Sequence, residues 1–188
     1  GYLYIPSITS PFVADIFPGD PDSTNLAYTK GSRRWIAGPQ GLPLFKPPYG
    51  RITAIDMNTG EHEWMVPNGW GPVDNPAIAH LDLGKLGVPG RPSPLLTKSL
   101  LFIGEGMTNQ RRGGRIPPNM PIEIATNSGG PWFRAYDKTS GAVVWEIEME
   151  AGTTNPPISY VYNDRQYLLV TIGDSRHAPE MVAFALPE

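Results

Sequence analysis

Cysteine is absent from this sequence of 188 residues. Disulfide bonds, thiolate metal sites and thiol catalysis are therefore excluded. Charge is also scarce, since charged residues make up 18% of the chain and the net charge is −3. Because a nucleic-acid-binding domain ordinarily carries a basic field, this balance argues against nucleic acid as a partner. One basic group, Arg111, Arg112 and Arg115, is interpreted as a solvated loop rather than a binding patch.

Long apolar runs are missing as well. None reaches the ~18 residues that a membrane-spanning helix needs, and no signal peptide is visible. Helical periodicity is almost absent, and its best candidate, residues 75–86, predicts at most a short turn. The chain starts in an apolar run without an initiator Met, so we expect a fragment or a processed product.

Glycine and proline are abundant, with 21 and 22 residues respectively. They punctuate short runs rich in β-branched and aromatic residues, a pattern typical of strands joined by many turns. Predicted strands cover residues 2–7, 51–57, 63–66, 94–97, 99–104, 132–136, 143–148, 158–162, 166–172 and 181–186. The sequence thus predicts an all-β protein.

One motif occurs twice. Residues 54–64 read AIDMNTGEHEW and residues 135–145 read AYDKTSGAVVW, both of the form A-x-D-x-x-[T/S]-G-x-x-x-W. The Asp side chain is suited to cap backbone N–H groups across the turn, and the Gly to take a positive φ. A Trp four residues later is then placed to cover a neighbouring unit. Two copies indicate a repeat protein, namely a β-propeller.

Counting strands predicts one domain, residues 1–188, with approximate blades at 1–67, 92–149 and 152–188. The first unit lacks an innermost strand and the third an outer one, giving about two and a half to three blades. Long insertions interrupt them at residues 10–48, 67–92 and 106–131. Because a propeller needs at least four blades to close, the expected partner is the remaining blades on another piece of chain, or further copies of this one.

The repeated motif resembles the tryptophan-docking motif of PQQ-dependent (quinoprotein) dehydrogenases. Its flanks agree, with QGLPLFKPPYGRIT at 40–53, VYNDRQYLLV at 161–170 and VAFALP at 182–187. Together they are similar to the C-terminal part of membrane-type quinoprotein glucose dehydrogenases and related sugar or polyol dehydrogenases.

This resemblance implies an eight-bladed propeller that holds PQQ and Ca²⁺ near its axis, in the periplasm. It implies oxidation of a sugar or alcohol hydroxyl, helped by an Asp base, with electrons passing to a quinone or cytochrome. The family's catalytic Asp and metal-binding carboxylates map upstream of this sequence, so no catalytic or metal residue is assigned here. This piece is expected to close the ring, to line the cofactor channel, and to be inactive alone. PQQ and Ca²⁺ are expected in the full-length parent, and binding of either by this piece alone is left open.

The resemblance also singles out the loop before each inner strand, which faces the channel. In GVPGRP at 87–92, Arg91 is expected to pair with a cofactor carboxylate through two parallel bonds. In GTTNP at 152–156, Thr154 and Asn155 are expected to hydrogen-bond quinone oxygens. The alternative is that Arg91 is a loop cation and Asn155 a turn residue.

Two other functions stay open. Propellers with similar repeats also serve as non-catalytic scaffolds, such as assembly factors at the bacterial outer membrane, and fold alone does not fix function. A third interpretation is a lectin-like binder that stacks sugars on Trp35, Trp70 and Trp132. Trp132 opens a predicted strand, which favours core packing for it.

Overall fold

The computed structural model describes residues 1–36, 38–106, 129–174 and 177–186. Most of the insertion at 106–131, including the basic group Arg111, Arg112 and Arg115, lies outside these residues. The strands are β1 (Tyr2–Ile8), β2 (Phe12–Pro18), β3 (Tyr28–Trp35), β4 (Gly50–Asp56), β5 (His62–Pro67), β6 (Leu95–Leu96), β7 (Leu100–Gly104), β8 (Trp132–Asp137), β9 (Val143–Glu148), β10 (Ile158–Tyr162), β11 (Arg165–Ile172) and β12 (Glu180–Ala185).

Helix is confined to two three-residue 3-10 turns in the described ranges, Pro39–Gly41 and Ala79–Leu81. The second falls inside the segment predicted to hold at most a short turn, which is confirmed. None of the helices in these ranges is long and apolar enough to cross a membrane.

Three antiparallel sheets follow one another along the chain. Their strand orders are β1-β4-β5, β6-β7-β8-β9 and β10-β11-β12. In each sheet, every strand pairs with the next strand along the chain, except that the hairpin of β2 and β3 is inserted between β1 and β4. This order is the meander arrangement of propeller blades. The all-β prediction is confirmed, and the sheets hold three, four and three strands.

The segment between β1 and β4 contains a hairpin that the sequence did not predict. β2 and β3 pair only with each other among the described strands, with a register shift between Ala14 and Ile16. Apolar side chains on it, including those of Ile16 and Phe17, are exposed. Because no side chain that the structure describes on the hairpin is buried, the alternation of apolar and polar residues that marks a half-buried strand is missing.

The first and second sheets pack together through one apolar cluster. Its buried members are Tyr4, Ile52, Ala54, Leu101, Ile103 and Tyr136, with Trp64 and Val66 packed against them. Side chains of β7 and β8 alternate between the two faces of the second sheet. The other face meets the third sheet through Phe133, Met149, Ala151, Val170 and Ile172. The inner strands β7 and β8 are thereby covered on both faces.

The turns of the two motif copies have the predicted chemistry. Asp56 Oδ1 accepts a hydrogen bond from the Asn58 amide at 2.8 Å, and Asp137 Oδ1 accepts from the Ser140 amide at 2.9 Å. Gly60 and Gly141 take φ values of +77° and +72°. These local bonds close the tight connections that lead into β5 and β9.

Trp64 docks onto the next sheet. Its indole Nε1–H donates to the Lys138 carbonyl at 3.0 Å, and a Cβ on Gly141 would lie 2.8 Å from the ring. Trp145 packs edge-on against Phe184 of the third sheet, with ring centroids 5.6 Å apart. The tryptophan of each motif copy therefore joins its own sheet to the following one.

Candidate functional site

The loop at residues 87–92 is held by backbone hydrogen bonds to the end of the first sheet. The amides of Leu86, Gly87 and Val88 donate to the carbonyls of Trp70, Gly69 and Asn68, each at 2.8 Å. These bonds set the path of the chain just before Arg91.

The loop at residues 152–155 is held by the third sheet in a similar way. Thr153 forms an isolated bridge with Ile172, and the Thr154 amide donates to the Thr171 carbonyl at 2.9 Å. The Gly173 amide donates to the Gly152 carbonyl at 3.1 Å. The loop therefore lies at the end of β11.

Both loops meet at the end of β7. A Cβ on Gly104 would collide with the Thr153 side chain, and a Cβ on Gly90 would collide with the Glu105 carbonyl. We call this meeting place of residues 87–92, 104–106 and 152–155 the loop junction. The family resemblance predicts that both loops face the cofactor channel, which stays a prediction, and the structure brings their backbones to one strand end.

The three predicted cofactor ligands, Arg91, Thr154 and Asn155, differ in the hydrogen bonds and ion pairs that their side chains make. Arg91 is exposed and has no hydrogen-bond or ion-pair partner among the described residues. Thr154 Oγ1 contacts Thr171 Oγ1 at 2.9 Å, and the exposed Asn155 donates from Nδ2 to Thr154 Oγ1 at 3.3 Å. Thr154 and Asn155 thus form one pair, and in the described ranges no contact joins Arg91 to them. Their binding roles stay predictions.

A buried ion pair lies beside the loop junction, and the sequence reasoning missed it. Arg134 Nη1 donates to Glu105 Oε1 at 2.7 Å, and the two side chains are 0% and 3% exposed. Arg134 Nε also donates to Glu146 Oε2 at 2.8 Å, which accepts from Lys85 Nζ at 3.1 Å. A detectable signal was Arg134 itself, a charge between the apolar residues Phe133 and Ala135 within strand β8.

Two further buried polar groups connect the first sheet to the second. Asn68 Nδ2 donates to the Gly104 carbonyl at 2.8 Å, and the Tyr136 hydroxyl donates to Asn68 Oδ1 at 3.0 Å. Burial raises the pKa of Tyr136 to about 12, so the phenol keeps its proton and can donate. The junction is therefore fixed by polar contacts as well as by apolar packing.

Burial also governs the acidity of the ion pair. Removal from water raises the pKa of Glu105, and the neighbouring Arg134 guanidinium opposes that rise. For Glu146, the hydrogen bond from Arg134 is the main cause of a lowered pKa. Arg134 Nη2 is buried and has no hydrogen-bond partner among the described residues.

One group of side chains has the composition of a metal site. Glu150, His177 and Glu180 offer ligand atoms within 4.8 Å of one another, and His177 Nε2 lies 3.0 Å from Glu180 Oε1. Ca²⁺ prefers six to eight oxygen ligands. An imidazole with two solvent-accessible carboxylates does not fit that requirement, so this group is not assigned to the Ca²⁺ that the resemblance implies.

The tryptophans proposed as sugar platforms have different surroundings. Trp70 is 45% exposed, and Lys85 Nζ lies 5.2 Å from its ring centroid. Trp132 is half-buried, with Arg134 Cζ at 5.5 Å from its ring centroid. Trp35 ends β3, and its side chain lies outside what the structure describes. Where described, these rings have a cation as neighbour.

Comparison with known proteins gives a family match over most of the chain. Residues 17–168 match the PQQ family described as glucose/ethanol/alcohol dehydrogenase, beta-propeller domain. The quinoprotein glucose dehydrogenase A of Acinetobacter calcoaceticus is 25% identical over 95% of this chain and 22% of its own length. The quinate/shikimate dehydrogenase (quinone) of Acinetobacter baylyi is 30% identical over 78% of this chain and 16% of its own length.

Solved structures show the same fold. The quinohemoprotein alcohol dehydrogenase of Comamonas testosteroni superposes with a TM-score of 0.51 at 20% identity, covering 98% of this chain and 23% of that one. The chain therefore spans about a fifth of the length of these relatives, and its three sheets correspond to part of a propeller.

Proposed function

Because the chain belongs to the family of PQQ-dependent dehydrogenase β-propellers, we propose that it supplies consecutive blades to a PQQ-dependent sugar or alcohol dehydrogenase. The complete protein oxidises a hydroxyl group and passes the electrons to a quinone or cytochrome. A glucose-type substrate is proposed from the resemblance of the flanking segments, and a periplasmic location from the same resemblance. The share of this chain is to close the ring and to form part of the cofactor-channel wall.

The observation that supports this proposal is the loop junction. Loops from two consecutive blade boundaries, each carrying predicted cofactor ligands, rest against the same end of β7. The docking contacts of Trp64 and Trp145 hold together the sheets that these loops connect. Cofactor sites require such pre-positioned polar groups around a defined space.

The donor set suits PQQ, an ortho-quinone with three carboxylates that accepts two electrons when bound. A guanidinium such as that of Arg91 pairs with a carboxylate through two parallel hydrogen bonds. The Asn155 carboxamide is exposed and provides N–H donors for quinone or carboxylate oxygens. Thr154 orients that carboxamide through the hydrogen bond that it accepts at 3.3 Å.

Calcium is proposed only for the complete enzyme. The described residues contain one group with metal-ligand composition, and its donors do not suit Ca²⁺. The ligands are therefore expected on blades that this chain does not include. Those blades, or further copies of this chain, are the proposed partners, because three sheets leave open faces and unpaired strand edges.

Titration with PQQ of the chain joined to the upstream blades, followed by quenching of tryptophan fluorescence, tests the proposal. Arg91→Ala should weaken binding roughly tenfold or more, since a hydrogen bond to a charged group contributes ~1.5–3 kcal/mol. Lys98→Ala, which removes an exposed cation from the turn between β6 and β7 at the other end of the strand, is the matched control and should leave the affinity unchanged.

Activity supplies the second readout. Mixed with PQQ, Ca²⁺ and glucose, the chain alone should not reduce an electron-accepting dye, whereas a polypeptide with the upstream blades should. Turnover by the chain alone would contradict the assignment of catalysis to the other blades. A complete propeller that neither binds PQQ nor oxidises alcohols would favour the non-catalytic scaffold instead.

A further inference from the structure

The buried ion pair of Glu105 and Arg134 is costly for the fold. Both side chains are almost fully removed from water, and the desolvation of two charges offsets much of their mutual attraction. Apolar residues of similar volume would often stabilise such a position equally well. Stability is therefore a weak explanation for the pair. The surroundings of Glu105 indicate another role for it.

Glu105 lies where three separate segments converge. A Cβ on Gly69, which follows β5, would lie 2.6 Å from Glu105 Oε1, and a Cβ on Gly130, which precedes β8, would collide with Oε2. Gly90 packs in the same way against the Glu105 carbonyl. Only residues without a side chain fit at these three contacts, so small movements of Glu105 are transmitted to each segment.

The segment of Gly90 is the one that carries Arg91. A Cβ on Gly106 would lie 2.8 Å from the Arg91 amide nitrogen, so Arg91 rests directly on the residue after Glu105. On its other side, the chain before Arg91 is held by the amides of residues 86–88 and by the Leu86 carbonyl, which accepts from the Tyr49 amide at 2.8 Å. The backbone of residues 105 and 106 therefore limits how closely the loop at residues 87–92 can approach the end of β7.

We propose that Glu105 is a positioning residue, which Arg134 holds in place so that Glu105 fixes the loop at residues 87–92 and thereby aims Arg91. This inference rests on the proposed function, because it assigns Arg91 to the cofactor. Arg134 is anchored in turn by Glu146 at 2.8 Å, so the chain of contacts runs from the outer strand β9 to the loop.

Hydrogen exchange on the full chain tests the positioning without any cofactor. In Glu105→Gln, the amides of Leu86, Gly87 and Val88 should exchange roughly tenfold faster, because their segment loses its rigid support. Glu148→Gln is the matched control, since it removes from strand β9 an exposed carboxylate that has no hydrogen bond or ion pair to Arg134 or to residues 85–92 among the described residues. Equal exchange of these amides in wild type and Glu105→Gln, or an equal increase in both variants, would overturn the proposal.

A double-mutant cycle links the positioning to PQQ. Glu105→Gln should weaken PQQ binding roughly tenfold in wild type and have little effect in an Arg91→Ala background, because groups that act through one another are not additive. A residue that only stabilises the fold would give the same loss in both backgrounds, and that result would refute the positioning role.

The two proposals fail separately. If the polypeptide with the upstream blades does not bind PQQ, the proposed function is wrong, and if Arg91→Ala leaves its binding unchanged, the cofactor role of this loop is wrong. In both cases hydrogen exchange still decides whether Glu105 positions the loop. If Arg91→Ala weakens binding but Glu105→Gln does not, the proposed function stands and the positioning role is wrong.

Discussion

Replacing Trp64 with Ala probes the contact that joins the first two sheets. The half-buried indole rests on the turn at Gly141, and its Nε1–H donates to the Lys138 carbonyl at 3.0 Å. A fully buried Trp→Ala change costs ~3–5 kcal/mol. Partial exposure lowers that loss, whereas the lost hydrogen bond adds ~1 kcal/mol. We expect the free energy of unfolding to fall by about 3 kcal/mol.

Trp145→Ala is the matched comparison. This ring is 38% exposed and packs against Phe184 without a hydrogen bond among the described residues, so about 2 kcal/mol should be lost. Trp64→Phe keeps an aromatic ring but not the donor and should cost about 1 kcal/mol.

Urea titrations followed by near-ultraviolet circular dichroism measure all three losses from the midpoint and slope. The decisive result is the order of the three losses, with Trp64→Ala the largest and Trp64→Phe the smallest. A loss below about 1 kcal/mol for Trp64→Ala, or a larger loss for Trp145→Ala, would refute docking as the structure shows it.

Three further changes have defined outcomes. Gly141→Ala should cost at least ~1 kcal/mol more than Gly60→Ala in urea titrations, because both glycines have positive φ but only at Gly141 would the Cβ meet a tryptophan ring. The pKa of Asp137 lies below its ordinary 3.8, mainly because its carboxylate accepts the Ser140 amide hydrogen bond. The stabilisation that the Asp137 carboxylate contributes is thus complete above pH 3.8 and is lost as the pH falls through the lower pKa of Asp137 in the folded chain. The stability difference between wild type and Asp137→Asn should therefore shrink in acid titrations. Arg134→Met should cost ~3–5 kcal/mol by leaving Glu105 unpaired, and adding Glu105→Gln should recover part of that loss in thermal unfolding.

Local chemistry made the repeats predictable from sequence. The turn at Asp137 needs a side-chain acceptor and a glycine with positive φ within a few residues, so its parts are adjacent in the chain. The strands of the three sheets alternate or carry continuous apolar runs, and their bounds agree with the predicted ones to within one or two residues. The predicted loop residues Arg91, Thr154 and Asn155 were found through a family resemblance, and their binding roles stay predictions.

The hairpin of β2 and β3 escaped prediction for a physical reason. The apolar side chains that the structure describes on it, such as those of Ile16 and Phe17, are exposed, so burial imposes no period on the sequence. Its pairing depends on backbone hydrogen bonds and a shifted register, neither of which has a residue-type signature.

By itself, the sequence determined the strands, the tight motif turns and the presence of docking tryptophans, because each depends on residues close together in the chain. Only the tertiary structure decided where these elements meet. Glu105 and Arg134 read as an isolated acid and base until the pairing of β7 with β8 and the packing of three glycine-bearing segments remove both from water. Burial is a property of the assembled sheets, and it changes an ordinary charge pair into the support on which the loop of Arg91 rests.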